Sequence, residues 1–491
     1  MKKLMMVMAA MLPLVMMAQE FKMTWGPDYK KADAFGVVDF IGATATDYYV
    51  LLQPYRKHEM LRFNMQHQLV SNKGLEFKVN NEDAELATFV ATKHYHYADL
   101  TYEDRKTKTI ETYFQKLDDK GNFEGEPQKV ASTSAKNTRI AWDGITHFGS
   151  SINNNANGVF QNPDQTLLLM VNSGWIVEKN GKAKLSLNVF DEKLNAKWAK
   201  EVELPYPDNK LWLQWVRLLN DGTVVMTAKL YQTEHDKKTR ALGYKFKVFV
   251  ISPDGFKESE IDLGEGKAPQ SAGLFDEEEG RIAIAGIYQS TYLGSDDRGI
   301  YGGLVDAASG KIMALTIQDY SDQTKDSIIQ EKGKLKNIKA FDFISLANGN
   351  KLMIADENYD VMLTRGEHIY VYYHSDYKVL VGFDKNMKVR FDSVHASNLT
   401  SGLSEPTGIA NYRIDDNRFL MFYNNTEGFG NDFRVALFNE NGKLLKEDRI
   451  NIGSNSYLLP LDRIFQIAPN KFIILIVEGR EYKAGILEVV D

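Results

Sequence analysis

The stretch Asn162-Pro-Asp-Gln-Thr-Leu-Leu-Leu-Met-Val171 decides how the whole chain is read: a polar turn runs straight into an unbroken apolar strand. The same pattern returns as Asn220-Asp-Gly222 before TVVMTA, Glu277–Gly280 before RIAIAG and Ala347–Asn350 before KLMIAD. It returns again as Asp415–Asn417 before RFLMFY and Ala468–Asn470 before KFIILIV. The copies stand about 50–70 residues apart, a period that marks a repeat architecture. Asp47 before YYVLLQ and Asp83 before AELATFV read as two earlier, weaker copies.

A second landmark closes a later strand in each unit, where an apolar residue meets Asp, Asn or Ser. The copies are Phe63-Asn64, Leu117-Asp118, Phe190-Asp191, Ile251-Ser252, Val305-Asp306, Phe383-Asp384 and Phe438-Asn439. Asn, Asp and Gly are favoured at such points because tight hairpins place residues at positive φ. Apolar residues recur with period 2 nearly throughout, and period 3.6 is rare. The unit is therefore strand, turn, strand, longer loop, strand, hairpin, strand. One such sheet leaves both faces and both edges uncovered, so it must stack on its neighbours.

This organisation resembles a β-propeller, and the likeness spans nearly all of the chain. The fold expected is all-β, with about eight four-stranded blades and seven as the alternative. The final copy has room for three strands before Asp491. The N-terminal segment Phe21–Trp25 is expected to supply the fourth and close the ring. A tandem pair of β-sandwiches is the competing reading, because evenly spaced short strands fit both. The signatures of named propeller families do not repeat: Trp142-Asp143 is the only Trp-Asp dipeptide, and Ser295-x-Asp297-x-Gly299 begins an aspartate box that Gly302 does not complete.

Residues 1–18 read as a secretory leader and 19–491 as a single propeller domain. Lys2 and Lys3 precede an apolar run from Leu4 to Met17, too short for an ordinary membrane span, and Ala18 suits the position before a cut. The Met-rich core and Ala-Gln junction resemble leaders of secreted Bacteroidota proteins, and the chain as a whole resembles the secreted propellers of that group. The resemblance implies a periplasmic or extracellular protein. With no cysteine among 491 residues, anchoring by the lipoprotein route is excluded. No later stretch is long enough for a membrane helix. The formal net charge of −7 becomes two units more negative once Lys2 and Lys3 leave, which argues against a nucleic-acid partner.

No catalytic constellation stands out. His94 and His96 in KHYHY, two apart, would share one face of a strand, but a third metal ligand is missing. Gly149-Ser150-Ser151 is not a nucleophile elbow. The chain holds 66 Asp and Glu residues, so no particular pair can be chosen as a glycosidase acid and base. No metal and no cofactor is expected. Extra length falls in Tyr231–Tyr244, Tyr288–Tyr301 and Glu357–Tyr377, loops between the second and third strands. Tyr292, Arg298, Tyr359, Asp360, Arg365 and His368 in those loops, with Trp215 on a nearby strand, are the candidate ligand-binding residues. Aromatic rings beside Arg and His suit a glycan or a protein patch. The expected function is a monomeric, non-catalytic binding or scaffold propeller for a glycan or envelope protein. The rival is a propeller enzyme acting on a polysaccharide, a hydrolase or lyase with acids facing the channel.

Overall fold

The computed structural model describes residues 20–30, 36–54, 58–118, 120–134, 151–152, 157–172, 181–239, 243–291, 298–332, 338–346, 348–357, 359–365, 368–401, 409–427, 430–452, 461–478 and 481–490. The expected leader, residues 1–18, lies outside these. The strands form eight four-stranded blades. Blade 1 is Gly36–Ala43, Asp47–Pro54, His58–Asn64 and Leu69–Leu75; blade 4 is Leu211–Leu218, Val224–Tyr231, Tyr244–Ser252 and Gly255–Ile261. Blade 8 takes Ile464–Ala468, Lys471–Glu478 and Glu481–Val490 from the end of the chain. Its outer strand is Glu20–Trp25, antiparallel to Glu481–Val490 with Phe21 opposite Val489 and Trp25 opposite Gly485. The expected closure by Phe21–Trp25 is therefore present.

Packing makes the ring. Eight apolar clusters each join two neighbouring blades, from Ile41 and Tyr49 against Ala98 and Leu100 between blades 1 and 2 to Ile473 and Leu475 against Tyr48 and Val50 between blades 8 and 1. The second strand of each blade is covered on both faces, which is why Leu167–Asn172 and Lys351–Glu357 are buried at every position. That double burial explains why these strands read as continuous apolar runs instead of alternating ones. Outer strands are exposed and mixed, as in Ala196–Pro207.

The Asp and Asn landmarks are turn builders. In most of them Oδ1 accepts two backbone N–H groups: Asp191 from Lys193 and Asn195, both at 2.9 Å, and Asp384 from Asn386 and Lys388, both at 2.9 Å. Asn64, Asp118 and Asn439 do the same, while Asp306 Oδ1 accepts that of Ser309 at 2.6 Å. Three residues on, the chain turns through positive φ at His67, Gly121, Leu194, Met387 and Gly442. These turns dock on the outer strand of the preceding blade. Gln128 Nε2 donates to the Leu194 carbonyl at 2.9 Å, Thr316 Oγ1 to that of Met387 at 2.6 Å, and Lys200 Nζ to that of Pro253 at 3.1 Å.

Blade 2 departs from the sequence reading. Asp83 ends a two-stranded ribbon, Lys78–Val79 with Glu82–Asp83, that turns at Asn80 and Asn81 and links blades 1 and 2. Glu85–Ala91 is the innermost strand, and the blade's own turn precedes His96–Asp104. That turn carries no Gly, Asn or Asp. Thr92 builds it, with Oγ1 accepting the Tyr95 N–H at 3.0 Å. His94 sits in this turn, 2.9 Å from the Glu192 carboxylate of blade 3, and only His96 is in the strand. The two histidines do not share a strand face.

Candidate functional site

Antiparallel order within each blade sends the tight turns to one face of the ring. The second-to-third-strand loops and the blade-to-blade crossovers go to the other. The docked turns lie on the first face. The second carries the elaborated segments.

Among the described residues the largest elaboration rises from blade 6. Its second strand Lys351–Glu357 pairs with Lys378–Phe383, slips register by one residue, and continues as Tyr359–Arg365 against His368–His374. The innermost strand Ile338–Ser345 covers only Lys351–Glu357. The hairpin Tyr359–His374 therefore stands beyond the ring, with Met362 66% exposed. Locally the sequence favours this because Val, Ile and Tyr fill YDVML and HIYVYY. At its base Tyr359 and His374 stack, with centroids 5.0 Å apart and planes 13° off parallel. Tyr359 OH donates to Asp376 Oδ2 at 2.8 Å, and His374 Nδ1 lies 3.1 Å from Thr400 Oγ1. Blade 7 braces the wall from behind: the Thr400 N–H donates to Thr426 Oγ1 at 3.0 Å and the Asn398 N–H to Asn425 Oδ1 at 2.8 Å.

Beneath the hairpin lie two buried polar layers. Toward blade 7, Lys378 Nζ donates to Asp356 Oδ1 and to Ser375 Oγ, and Ser375 Oγ donates to Asp356 Oδ1 at 2.7 Å. All three side chains are fully buried. Next to them, Tyr423 OH donates to Glu447, so His395 Nε2 supplies the proton of its 3.0 Å bond to Tyr423 OH. Arg434 reaches Glu447 at 3.1 Å and Asp432 at 2.9 Å. Burial opposes the Glu447 carboxylate, but the hydrogen bonds from Tyr423 and Arg434 outweigh it and lower its pKa. Burial pulls the His395 pKa down, against the attraction of Glu447. Toward blade 5, Tyr377 is pushed well above the ordinary phenol range by burial and then by Glu357, with Tyr320 and Arg298 close by. Ser321 of blade 5 gives its N–H to Asp392 of blade 6 at 2.8 Å.

The tyrosines are buried and keep their hydrogens, and Asp356 is matched by Lys378. Among the described residues no group of three His, Cys, Asp or Glu could hold a metal ion. Elsewhere, burial raises the pKa of Asp99 of blade 2 to about 7.

Of the residues singled out in the sequence, Tyr359 stands at the centre of this site. Arg298 opens the third strand of blade 5 beside Tyr320 and Tyr377. Asp360, Arg365 and His368 belong to the raised hairpin by backbone, with Arg365 opposite His368. Their side chains, and the whole of Tyr292, lie outside the described residues. Trp215 is elsewhere: on the innermost strand of blade 4 it meets Phe343 of blade 6 edge-on, at 5.1 Å and 90°. Gly273 of blade 5 makes room there, since a Cβ at that position would overlap the Phe343 ring. Sequence reading missed Asp376, Glu357, Thr400 and the Asp356–Lys378 pair. Asp356 and Lys378 are cross-strand partners in register, and two opposite charges inside apolar runs were the available signal.

No family model and no curated protein matches the chain. Among solved structures it is similar to prolyl oligopeptidase B from Galerina marginata, at 9% identity and a TM-score of 0.39, over 92% of this chain and 55% of that one. It is also similar to polysaccharide lyase Uly1, at 8% identity and a TM-score of 0.38, over 84% and 94% of the two chains. A third is the β-propeller domain of the Trilobed protease from Pyrococcus furiosus, at 12% identity and a TM-score of 0.34, over 86% and 96%. The chain thus spans about half the length of the oligopeptidase. Similarity this low transfers no activity, substrate or site. What stands on the chain's own strand pairing is an eight-bladed β-propeller with a raised hairpin on its crossover face.

Proposed function

We propose that this protein is an extracytoplasmic, non-catalytic binding module whose crossover face takes a neutral glycan, with the blade 6 hairpin as the main contact. The observation carrying the proposal is the hairpin itself. The ring needs no strand beyond Glu357, yet Tyr359–His374 continues outward and sets a stacked Tyr359–His374 pair at its base. Rings of this kind offer flat apolar faces to a sugar, while Asp376 and Thr400 fix their polar tips. A net charge of −7 disfavours anionic polymers. The non-catalytic reading rests on the carboxylates beneath the hairpin, Asp356 tied to Lys378 and Glu447 tied to Tyr423 and Arg434. Secretion rests on the apolar segment following Lys2 and Lys3, and N-terminal sequencing of the exported protein should begin at Gln19.

A glycan array followed by titration of the best ligand tests the binding reading. Tyr359→Ala and His374→Ala should each weaken binding about tenfold, as expected for one stacking contact of ~1.4 kcal/mol, without lowering the melting temperature by more than a few degrees. Unchanged affinity in both variants, an empty array, or cleavage of the bound polysaccharide would each overturn the proposal. Capture of a protein through the same hairpin would move the assignment to a protein partner.

A further inference from the structure

We propose that His67 is an acid-sensitive latch on the seam where the N-terminal strand closes the ring: neutral, it holds Glu20–Trp25 in blade 8, and protonated, it loosens that strand. His67 occupies the positive-φ position of the blade 1 turn, at φ 60°, and is 4% exposed. The turn that carries it is rigid, since Asn64 Oδ1 accepts the N–H groups of Gln66 and Gln68 at 3.0 and 2.9 Å. The imidazole reaches across the seam. Nε2 lies 3.2 Å from the Thr24 carbonyl of the closing strand, and Nδ1 lies 2.9 Å from Tyr48 OH inside blade 1. Just beyond, Gly26 lets the two elements touch: a Cβ there would stand 2.6 Å from the His67 Cβ, while the Gly26 N–H bonds the Ala484 carbonyl of blade 8 at 2.9 Å.

The partners dictate the proton count. A carbonyl can only accept, so Nε2 carries hydrogen, and Nδ1 is then the acceptor of the Tyr48 hydroxyl proton. Adding a second proton places N–H against O–H. Tyr48 is fully buried and makes no second hydrogen bond among the described residues; the nearest titratable group across the seam is the buried Tyr482 hydroxyl, and an unmade bond in a buried site is costly.

Among the described residues no charge compensates. The turn supplies only Asn64, Gln66 and Gln68. Within blade 1, Asp47 is held by Arg62 at 2.9 Å. On the closing strand and its continuation the charged groups are Glu20, Lys22 and Asp28. On the third strand of blade 8 they are Glu481, Lys483 and Glu488, with Lys483 3.6 Å from Asp28. Burial, the larger influence, lowers the imidazole pKa, and the Thr24 carbonyl offsets it only in part. A histidine whose folded pKa lies below its unfolded value of 6.5 contributes full stability above that value. The contribution is lost as pH falls toward the folded value. The bond lost on protonation, to Tyr48, lies within blade 1, and the bond to Thr24 survives; the seam bears the loss because Thr24 and Gly26 of the closing segment cover the imidazole, and lifting that strand lets water reach the charge.

Hydrogen exchange of the full protein, corrected for the intrinsic pH dependence of exchange, tests this. Between pH 7.5 and pH 5, opening of the strands Glu20–Trp25 and Glu481–Val490 should rise severalfold. Val224–Tyr231 in blade 4 should not change. His67→Asn, whose side chain tolerates positive φ and does not titrate, and His67→Gln should both abolish the response, whereas His58→Gln should keep it. A flat wild-type profile, an equal rise in blade 4, or a full response in both His67 variants would overturn the latch. The wild-type profile decides the matter even if either variant folds poorly.

Discussion

At the scale of single residues, the same backbone strain carries opposite consequences depending on what the side chain touches. Leu194 and Lys108 both sit at positive φ, at 64° and 56°, a conformation that costs an ordinary residue roughly 1–2 kcal/mol. Leu194 recovers this by burial in the apolar cluster between blades 2 and 3, and Lys108 is exposed on an outer turn. Leu194→Gly should therefore lower stability by about 1–3 kcal/mol, because the lost burial exceeds the relieved strain. Lys108→Gly should stay within about 0.5 kcal/mol of the parent or slightly above it. Chemical denaturation of the two variants side by side checks the contrast, and equal effects would mean that strain rather than docking governs these turns. The Asp and Asn residues ahead of such positions were legible in the sequence. That His67, Leu194 and Met387 would be buried was not, because each is buried by a blade more than 40 residues away along the chain or across the ring closure.

At the scale of elements, double burial of the second and third strands makes any charge inside them conspicuous. Lys378, Asp356 and Ser375 satisfy one another. Removing one partner strands the other in a low-dielectric site, whereas replacing both with apolar groups of similar size is close to neutral. Lys378→Met should destabilise by about 3–5 kcal/mol, and the double variant Lys378→Met with Asp356→Leu should recover most of that. A double-mutant cycle in denaturant measures it; additive losses would mean the pair is not coupled. The hairpin above was half-legible. Its alternating aromatic residues announced strands, but a register slip between Asp356 and Tyr359 and an innermost strand that stops short are what lift it off the ring.

At the scale of the molecule, the ring is held by eight interfaces and one strand borrowed from the other end of the chain. Phe21, Met23 and Trp25 pack against the cluster shared by blades 7 and 8. Deleting residues 20–25 removes that packing and bares the edge of Glu481–Val490. Three half-buried apolar side chains at roughly 1–2 kcal/mol each predict a loss of several kcal/mol, seen as a fall of roughly 5–15 °C in melting temperature. An exposed strand edge also invites association, so size-exclusion chromatography should show oligomers. An unshifted melting curve would show that the closing strand contributes little.

The amino-acid sequence by itself determined the repeat, the order of strands in each blade and, in every blade but the second, the turn positions, because all of these follow from local alternation and from Asx-type turns within a few residues. It also identified the N-terminal segment that completes blade 8, since three apolar strands lacked a fourth. Only the tertiary structure decided the blade count, the true turn of blade 2 at Thr92, the packing of Trp215 on Phe343, and the grouping of Tyr359, His374, Asp376 and Thr400. Those depend on which blades become neighbours, and neighbours in a closed ring are set by side-chain packing across the interfaces, a long-range property that no local pattern carries.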